Sequence, residues 1–228
     1  MYNKETTHII LGTAHLGSTP GKCSPDSKFR EAVWSREIIA ELAPALESYG
    51  WTVHVDYPSM LPGPALKDKD PKKEQSKELQ YRVGFVNGLC KRHGKENCIY
   101  VSIHVNGAGN GGKWLGARGW SAYTSPGQTK SDILASDLYW AATKNIVPDY
   151  SKTGEWVGSQ KPIRTDLSDG DPDLEERLYV LTKTLCPAVL TENLFQDNKD
   201  DVSFLTSDLG RQLILRTHVE GILRFLER

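Results

Sequence analysis

Cysteine is scarce and scattered in this chain of 228 residues: the four are Cys23, Cys90, Cys98 and Cys186, and no two form a C-x-x-C pair. That spacing speaks against a metal held by thiolates. Cys186 lies in an apolar run and reads as a small buried hydrophobe, while one bridge from Cys90 to Cys98 is left open. Net charge is nearly absent. Lys and Arg number 28 against 29 Asp and Glu, giving −1, so no global attraction to nucleic acid is expected. No apolar run approaches the roughly 20 residues of a membrane helix, and no membrane span is expected. Residues 1–7 are polar, without the apolar centre of a secretory signal, so no signal peptide is expected. Internal repeats and composition-biased linkers are also missing, which points to a single domain over residues 1–228.

What remains is an ordinary globular composition, 38% hydrophobic and 25% charged, in a chain long enough to bury a core. The run His8-Ile9-Ile10-Leu11-Gly12 predicts a buried strand, followed by a loop over 13–28. Ala32, Ile39, Leu42 and Leu46 recur at helical spacing and predict a helix over 29–49, stopped by Gly50, with Pro44 expected to kink or break it. Strands are predicted over 51–55, 99–103, 119–124, 178–181 and 187–191, and helices over 75–93, 131–146 and 208–226. The segment 58–71 reads as a Pro- and Lys-rich loop, and 106–112 as a glycine-rich one. Strands alternating with helices imply one α/β domain: a twisted, largely parallel sheet of about six strands flanked by helices.

Four side chains stand where those elements begin or end: His15 after the first strand, Glu31 at the start of the first helix, His104 and Glu192 at the exits of buried strands. In parallel α/β sheets chemistry gathers outside the carboxyl ends of the strands. Singly, His15 reads as a loop residue and Glu31 as an acid favoured by the helix dipole. An imidazole or carboxylate directly after an apolar strand needs partners, because its burial without them is costly. Two His and one carboxylate make a zinc set with an open position for water, and a further carboxylate can take a proton from that water. The set therefore reads as a metal-assisted hydrolase.

The residues around these positions carry a resemblance. The strand and His-Leu-Gly loop at His15, Glu31 with Leu42 and Gly50, the run Tyr81-Arg82-Val83-Gly84-Phe85-Val86-Asn87, Ser102-Ile103-His104-Val105-Asn106, and Leu178-Tyr179-Val180-Leu181 with Pro187-Ala188-Val189-Leu190-Thr191-Glu192 occur in order. In this the chain resembles the zinc-dependent N-acetylmuramoyl-L-alanine amidases of the sporulation, cell-division and phage-lysin group. The resemblance implies Zn2+ on His15, Glu31 and His104, with Glu192 as the catalytic carboxylate. It implies hydrolysis of the amide between N-acetylmuramic acid and L-alanine of peptidoglycan. Thr13-Ala14 and Leu16 replace the family's Asp-Pro-Gly before and Gly after the first His, and Asn193-Leu194-Phe195 stands where a Gly is commoner. These departures bear on the rim of the site more than on the metal. A monomer acting on the cell wall, without its own signal, is expected: a phage or mobile-element lysin, or a trimmed envelope enzyme.

Around this centre, Thr13, Asn87 and Asn106 are candidates to orient the imidazoles, and Asn106 and Arg164 are candidates to bind substrate. Trp34, Trp114, Trp120 and Trp156 could stack on sugar or pack as core. His8, His54, His93 and His218 are read as structural. The irregular segment 148–175 is too long for a simple connector and is expected to wall or cover the substrate groove. Two rival readings exist. A carboxypeptidase-like zinc peptidase usually places its first His and Glu three residues apart, whereas His15 and Glu31 are separated by a loop. A non-catalytic peptidoglycan-binding module would have no need of a base such as Glu192.

Overall fold

The computed structural model describes residues 2–228. The chain forms β1 (His8–Thr13), α1 (Glu31–Ser48), β2 (Thr52–Val55), α2 (Pro71–His93), β3 (Cys98–Asn106), β4 (Ser121–Thr124), α3 (Lys130–Asn145), α4 (Val147–Tyr150), β5 (Leu174–Glu175), α5 (Tyr179–Thr182), β6 (Ala188–Phe195), α6 (Lys199–Thr206) and α7 (Asp208–Leu226). The strands make one six-stranded sheet in the order β2-β1-β3-β6-β4-β5. Strands β2, β1, β3 and β6 run parallel; β4 runs antiparallel to β6, and β5 follows β4.

Alternation along each strand divides the core between two faces. In β3, Ile99, Val101 and Ile103 pack with Ile38 and Leu42 of α1, Leu134 and Leu138 of α3, and Ile214 and Ile222 of α7. Cys98 and Tyr100 of the same strand pack the other way, with Val83 and Val86 of α2 and Val180 of α5. Ile9, Ile10 and Leu11 of β1 are fully buried, each contributing roughly 1.5–3 kcal/mol of apolar transfer. The same period of two sends His104 of β3, and Glu192 of β6, toward the α2 face. The two lie directly opposite each other across the parallel pair. Just beyond them the register shifts, and Leu194 takes φ +64°, turning back into the α1 core.

Local chemistry explains where elements start. Asp70 accepts from the Lys72 N–H at 2.9 Å and Pro71 occupies the first turn, so α2 begins there. This moves the start of the helix expected over 75–93 back to Pro71 and shortens the loop expected over 58–71 by one residue. Thr129 and Asp132 form a capping box for α3. Pro44 sits inside α1 without ending it. Leu178 to Leu181, expected as a strand, is instead the one-turn helix α5 with its preceding residue. His104 and Glu192 lie within β3 and β6 rather than past their ends. The four cysteines are free, so the Cys90–Cys98 bridge does not form. Among the described residues no helix is long and apolar enough to cross a membrane.

Candidate active site

His15, Glu31 and His104 converge although they are far apart in sequence; their ligating atoms lie within 4.8 Å of one another. His104 Nδ1 is 2.9 Å from Glu31 Oε1, and His15 Nε2 is 3.6 Å from the same oxygen. The two imidazoles stand edge to face with centroids 5.0 Å apart. Glu31 is buried at 1% exposure and also accepts the Val105 N–H at 3.1 Å. Glu192, opposite His104, completes a cavity of about 250 Å3 that it lines with His15, Lys22, Arg82, Leu178 and Tyr179.

Each ligand is aimed by its backbone. His15 adopts φ +37°, a left-handed conformation that a non-glycine residue holds only when its surroundings fix it. The fixing groups are plain. Ser35 Oγ accepts the Ala14 N–H at 2.9 Å and donates to the Ile103 carbonyl at 2.6 Å. Arg36 donates to the carbonyls of Ala14 and His15 at 2.8 and 2.9 Å. Beyond β3, Asn193 Nδ2 donates to the His104 carbonyl at 2.9 Å, and Trp120 Nε1 donates to Asn193 Oδ1 at 2.9 Å.

Below the site Arg82 is buried between Asp56 at 2.7 Å and Glu78 at 2.8 Å. It also donates to Thr13 Oγ1 at 2.9 Å. Asp56 further accepts from the Thr13 N–H at 2.9 Å and the Tyr100 hydroxyl at 2.9 Å. A Cβ on Gly12 would overlap that hydroxyl, which is why glycine precedes Thr13. Burial pulls the Arg82 guanidinium down, but Asp56 and Glu78 outweigh it and raise its pKa. Replacing Arg82 by methionine leaves two buried carboxylates without a counter-charge. The expected cost is about 3–5 kcal/mol, measured by urea unfolding; a loss under about 1 kcal/mol would mean the network does not hold this end of the sheet.

The electrostatics suit a divalent cation. Burial drives the His15 imidazole down to about pKa 3, so it is neutral, the form that binds metal. Burial alone would raise Glu31, but His15 and the His104 hydrogen bond outweigh it and keep the carboxylate ionised. Burial, and then the charge of Glu31, push Glu192 well above the usual carboxylate range. Glu31 Oε2 and Glu192 Oε2 are buried with no protein hydrogen-bond partner. Two imidazole nitrogens and one carboxylate within 4.8 Å of one another, with a buried carboxylate oxygen left unpartnered, are a donor set that fits zinc.

The wider set behaves differently. Thr13 acts through Asp56 and Arg82 rather than on an imidazole. Asn87 ties α2 to the Lys183 carbonyl and the Leu185 N–H at 2.8 and 2.9 Å, away from the ligands. Asn106 Oδ1 takes the Gly107 N–H at 2.8 Å. Arg164 stacks on Phe195 at 5.1 Å in a neighbouring hollow of about 400 Å3, and its charge reaches Glu192. Trp34 and Trp120 are buried, which removes them as sugar platforms. Trp156 lies under Arg118 at 4.0 Å and against Tyr150 at 5.1 Å, and Trp114 is 5.8 Å from Lys199. His218 is buried against Thr191 at 2.9 Å, and His8 meets His54 at 3.0 Å. Lys22, Ser35, Arg36 and Asp56 were not singled out by sequence; each is a lone polar residue outside any periodic pattern, and only the contacts mark it.

A family profile described as N-acetylmuramoyl-L-alanine amidase matches residues 9–224. The chain belongs to the N-acetylmuramoyl-L-alanine amidase family. An endolysin of Bacillus phage SPP1 is 33% identical over 131 residues, which is 56% of this chain and 40% of that protein. The chain thus aligns with less than half the length of that curated relative. Among solved amidases, the CwlD amidase of Clostridioides difficile shares the fold at a TM-score of 0.74 and 18% identity, covering 97% of this chain and 98% of that one. AmiC2 of Nostoc punctiforme does so at 0.68 and 19%, covering 100% of both chains. At these identities the amidase structures speak to the fold.

Proposed function

We propose that the chain is a zinc-dependent amidase that hydrolyses the bond between N-acetylmuramic acid and L-alanine in peptidoglycan, acting on the cell wall as a lysin. The observation that carries this reading is the convergence of His15, Glu31 and His104 beside Glu192 in one cavity of an amidase fold. All four come from one chain, which supports action as a monomer. The match to a phage endolysin supports the lysin role.

When bound, zinc supplies Lewis acidity toward the amide carbonyl and toward the attacking water. His15 and His104 would hold it through imidazole nitrogens and Glu31 through its carboxylate. Glu192 accepts the proton that water loses as its oxygen bonds to the carbonyl carbon. It then delivers that proton to the alanine nitrogen as the C–N bond breaks. The second proton of the water passes from the new carboxyl group to the amine, so the products are a lactyl carboxylate and an alanine ammonium, and atoms and protons balance. Burial, and then the charge of Glu31, raise the proton affinity of Glu192, which makes it a stronger base toward the attacking water. Lys22, whose charge acts on both Glu31 and Glu192, limits their mutual repulsion.

Asn106 and Arg164 are proposed to contact substrate, with the 148–175 segment as the wall of that part of the groove; the charge of Arg164 acting on Glu192 supports this. Gln160, Lys161, Arg164 and Thr165 line the hollow beside the cavity. Replacing Arg164 by alanine should raise KM on polymeric peptidoglycan several-fold while zinc content stays unchanged. An unaltered KM would remove Arg164 from the groove. The reading as a whole is tested by chelation: removing zinc should abolish clearing of purified cell walls, and stoichiometric zinc should restore it. Full activity in the metal-free protein would overturn it.

A further inference from the structure

We propose that Asp132, Asp171 and Asp173, with the Thr124 hydroxyl, form a calcium site that ties the 169–175 segment to the start of α3. Carboxylates occur at every second position of Asp169-Gly170-Asp171-Pro172-Asp173-Leu174-Glu175. In extended chain such positions share a face. Gly170, at φ +107°, makes the turn that leads into them.

The proton count leaves this group short of donors. Thr124 is fully buried, and its hydroxyl stands between Asp173 and Asp132 with one proton, which it gives to Asp173. Asp132 Oδ2 takes the Thr129 N–H, and Asp171 Oδ2 takes Gln128 Nε2 at 3.2 Å. Oδ1 of all three aspartates is buried with no protein partner. Asp173 is 2% exposed and Asp132 5%, so water gives them little relief. Asp173 faces Asp132 and is in direct contact with the Asp171 carboxylate. Two carboxylates in contact need either a shared proton or a cation between them.

The donor set is all oxygen, the preference of calcium and magnesium. Calcium tolerates irregular shells, whereas magnesium demands near-octahedral geometry. The three carboxylates are spread more widely than the zinc ligands, which lie within 4.8 Å of one another. A wide, irregular oxygen shell of the kind calcium accepts suits carboxylates set apart in this way. The consequence is positional. Glu175 follows directly in β5, the Glu176 N–H donates to the Thr124 carbonyl at 3.0 Å, and Leu178 to Val180 line the catalytic cavity. Calcium would steady that wall without touching the chemistry.

The test uses the zinc-loaded full chain in calcium-free buffer, titrated with calcium chloride in a calorimeter and followed by thermal unfolding. One calcium per chain should bind, magnesium at least about tenfold more weakly. At ten times Kd the Tm should rise by about 3–6 °C. Asp171→Asn and Asp173→Asn should each abolish the rise while zinc stays bound. A flat titration up to about 10 mM calcium, the weak end of protein calcium sites, overturns the proposal. So does a Tm that ignores calcium but falls as pH rises through 7, the mark of a shared proton.

Discussion

Replacing Glu192 by glutamine is expected to cut turnover on cell walls by roughly 10²-fold or more, with zinc content and fold intact. The side chain projects from β6 opposite His104, and glutamine matches its shape without being able to take a proton. The glutamine amide would occupy the same position, and no hydrogen bond is lost from the buried Oε2, which has none. Stability should therefore hold or improve, because a buried acid is replaced by a neutral group. Retained zinc with lost activity separates proton transfer from metal binding. Wild-type turnover in this variant would mean that another group carries the proton.

Removing His104 should have the second large effect, on metal before chemistry. Alanine there leaves two protein ligands where zinc sites ordinarily use three or more. It also strips Glu31 of its 2.9 Å partner, so a buried carboxylate loses its nearest support. Elemental analysis of His104→Ala should find most of the zinc gone and activity at background. His15→Ala provides a control, since its 3.6 Å contact to Glu31 is weaker and its loss should disturb folding less. Full zinc occupancy in both variants would falsify the ligand assignment.

The central strands were legible because they are buried on both faces and read as apolar runs, as in Ile99 to Ile103 of β3. His104 and Glu192 were legible for the same reason, whereas His15 and Glu31 stood out only with the rest of the set. A polar group set at the end of such a run is conspicuous, and the order of the motifs agreed. The error at Leu178 to Leu181 has a physical source. Four apolar residues fit a buried strand or one helical turn equally well, and only packing against α2 and β6 decides. The early start of α2 was missed because Lys72, Lys73 and Glu74 face solvent and carry no apolar stripe, although Asp70-Pro71 is a start signal. Helix α6 was missed because it is short, with eight residues. The supporting layer of Ser35, Arg36, Asp56 and Glu78 was invisible for a different reason. Its members lie on separate elements, and their meaning exists only in the contacts they share with Arg82, Ala14 and His15.

The most direct measurement is mass spectrometry of peptidoglycan digested by the zinc-loaded chain. Cleavage of the proposed bond predicts stem peptides with a free L-alanine amine, together with glycan strands whose muramic acids keep an unsubstituted lactyl carboxylate. Fragments cut within the stem peptide or between sugars, with the lactyl–alanine amide intact, would contradict it.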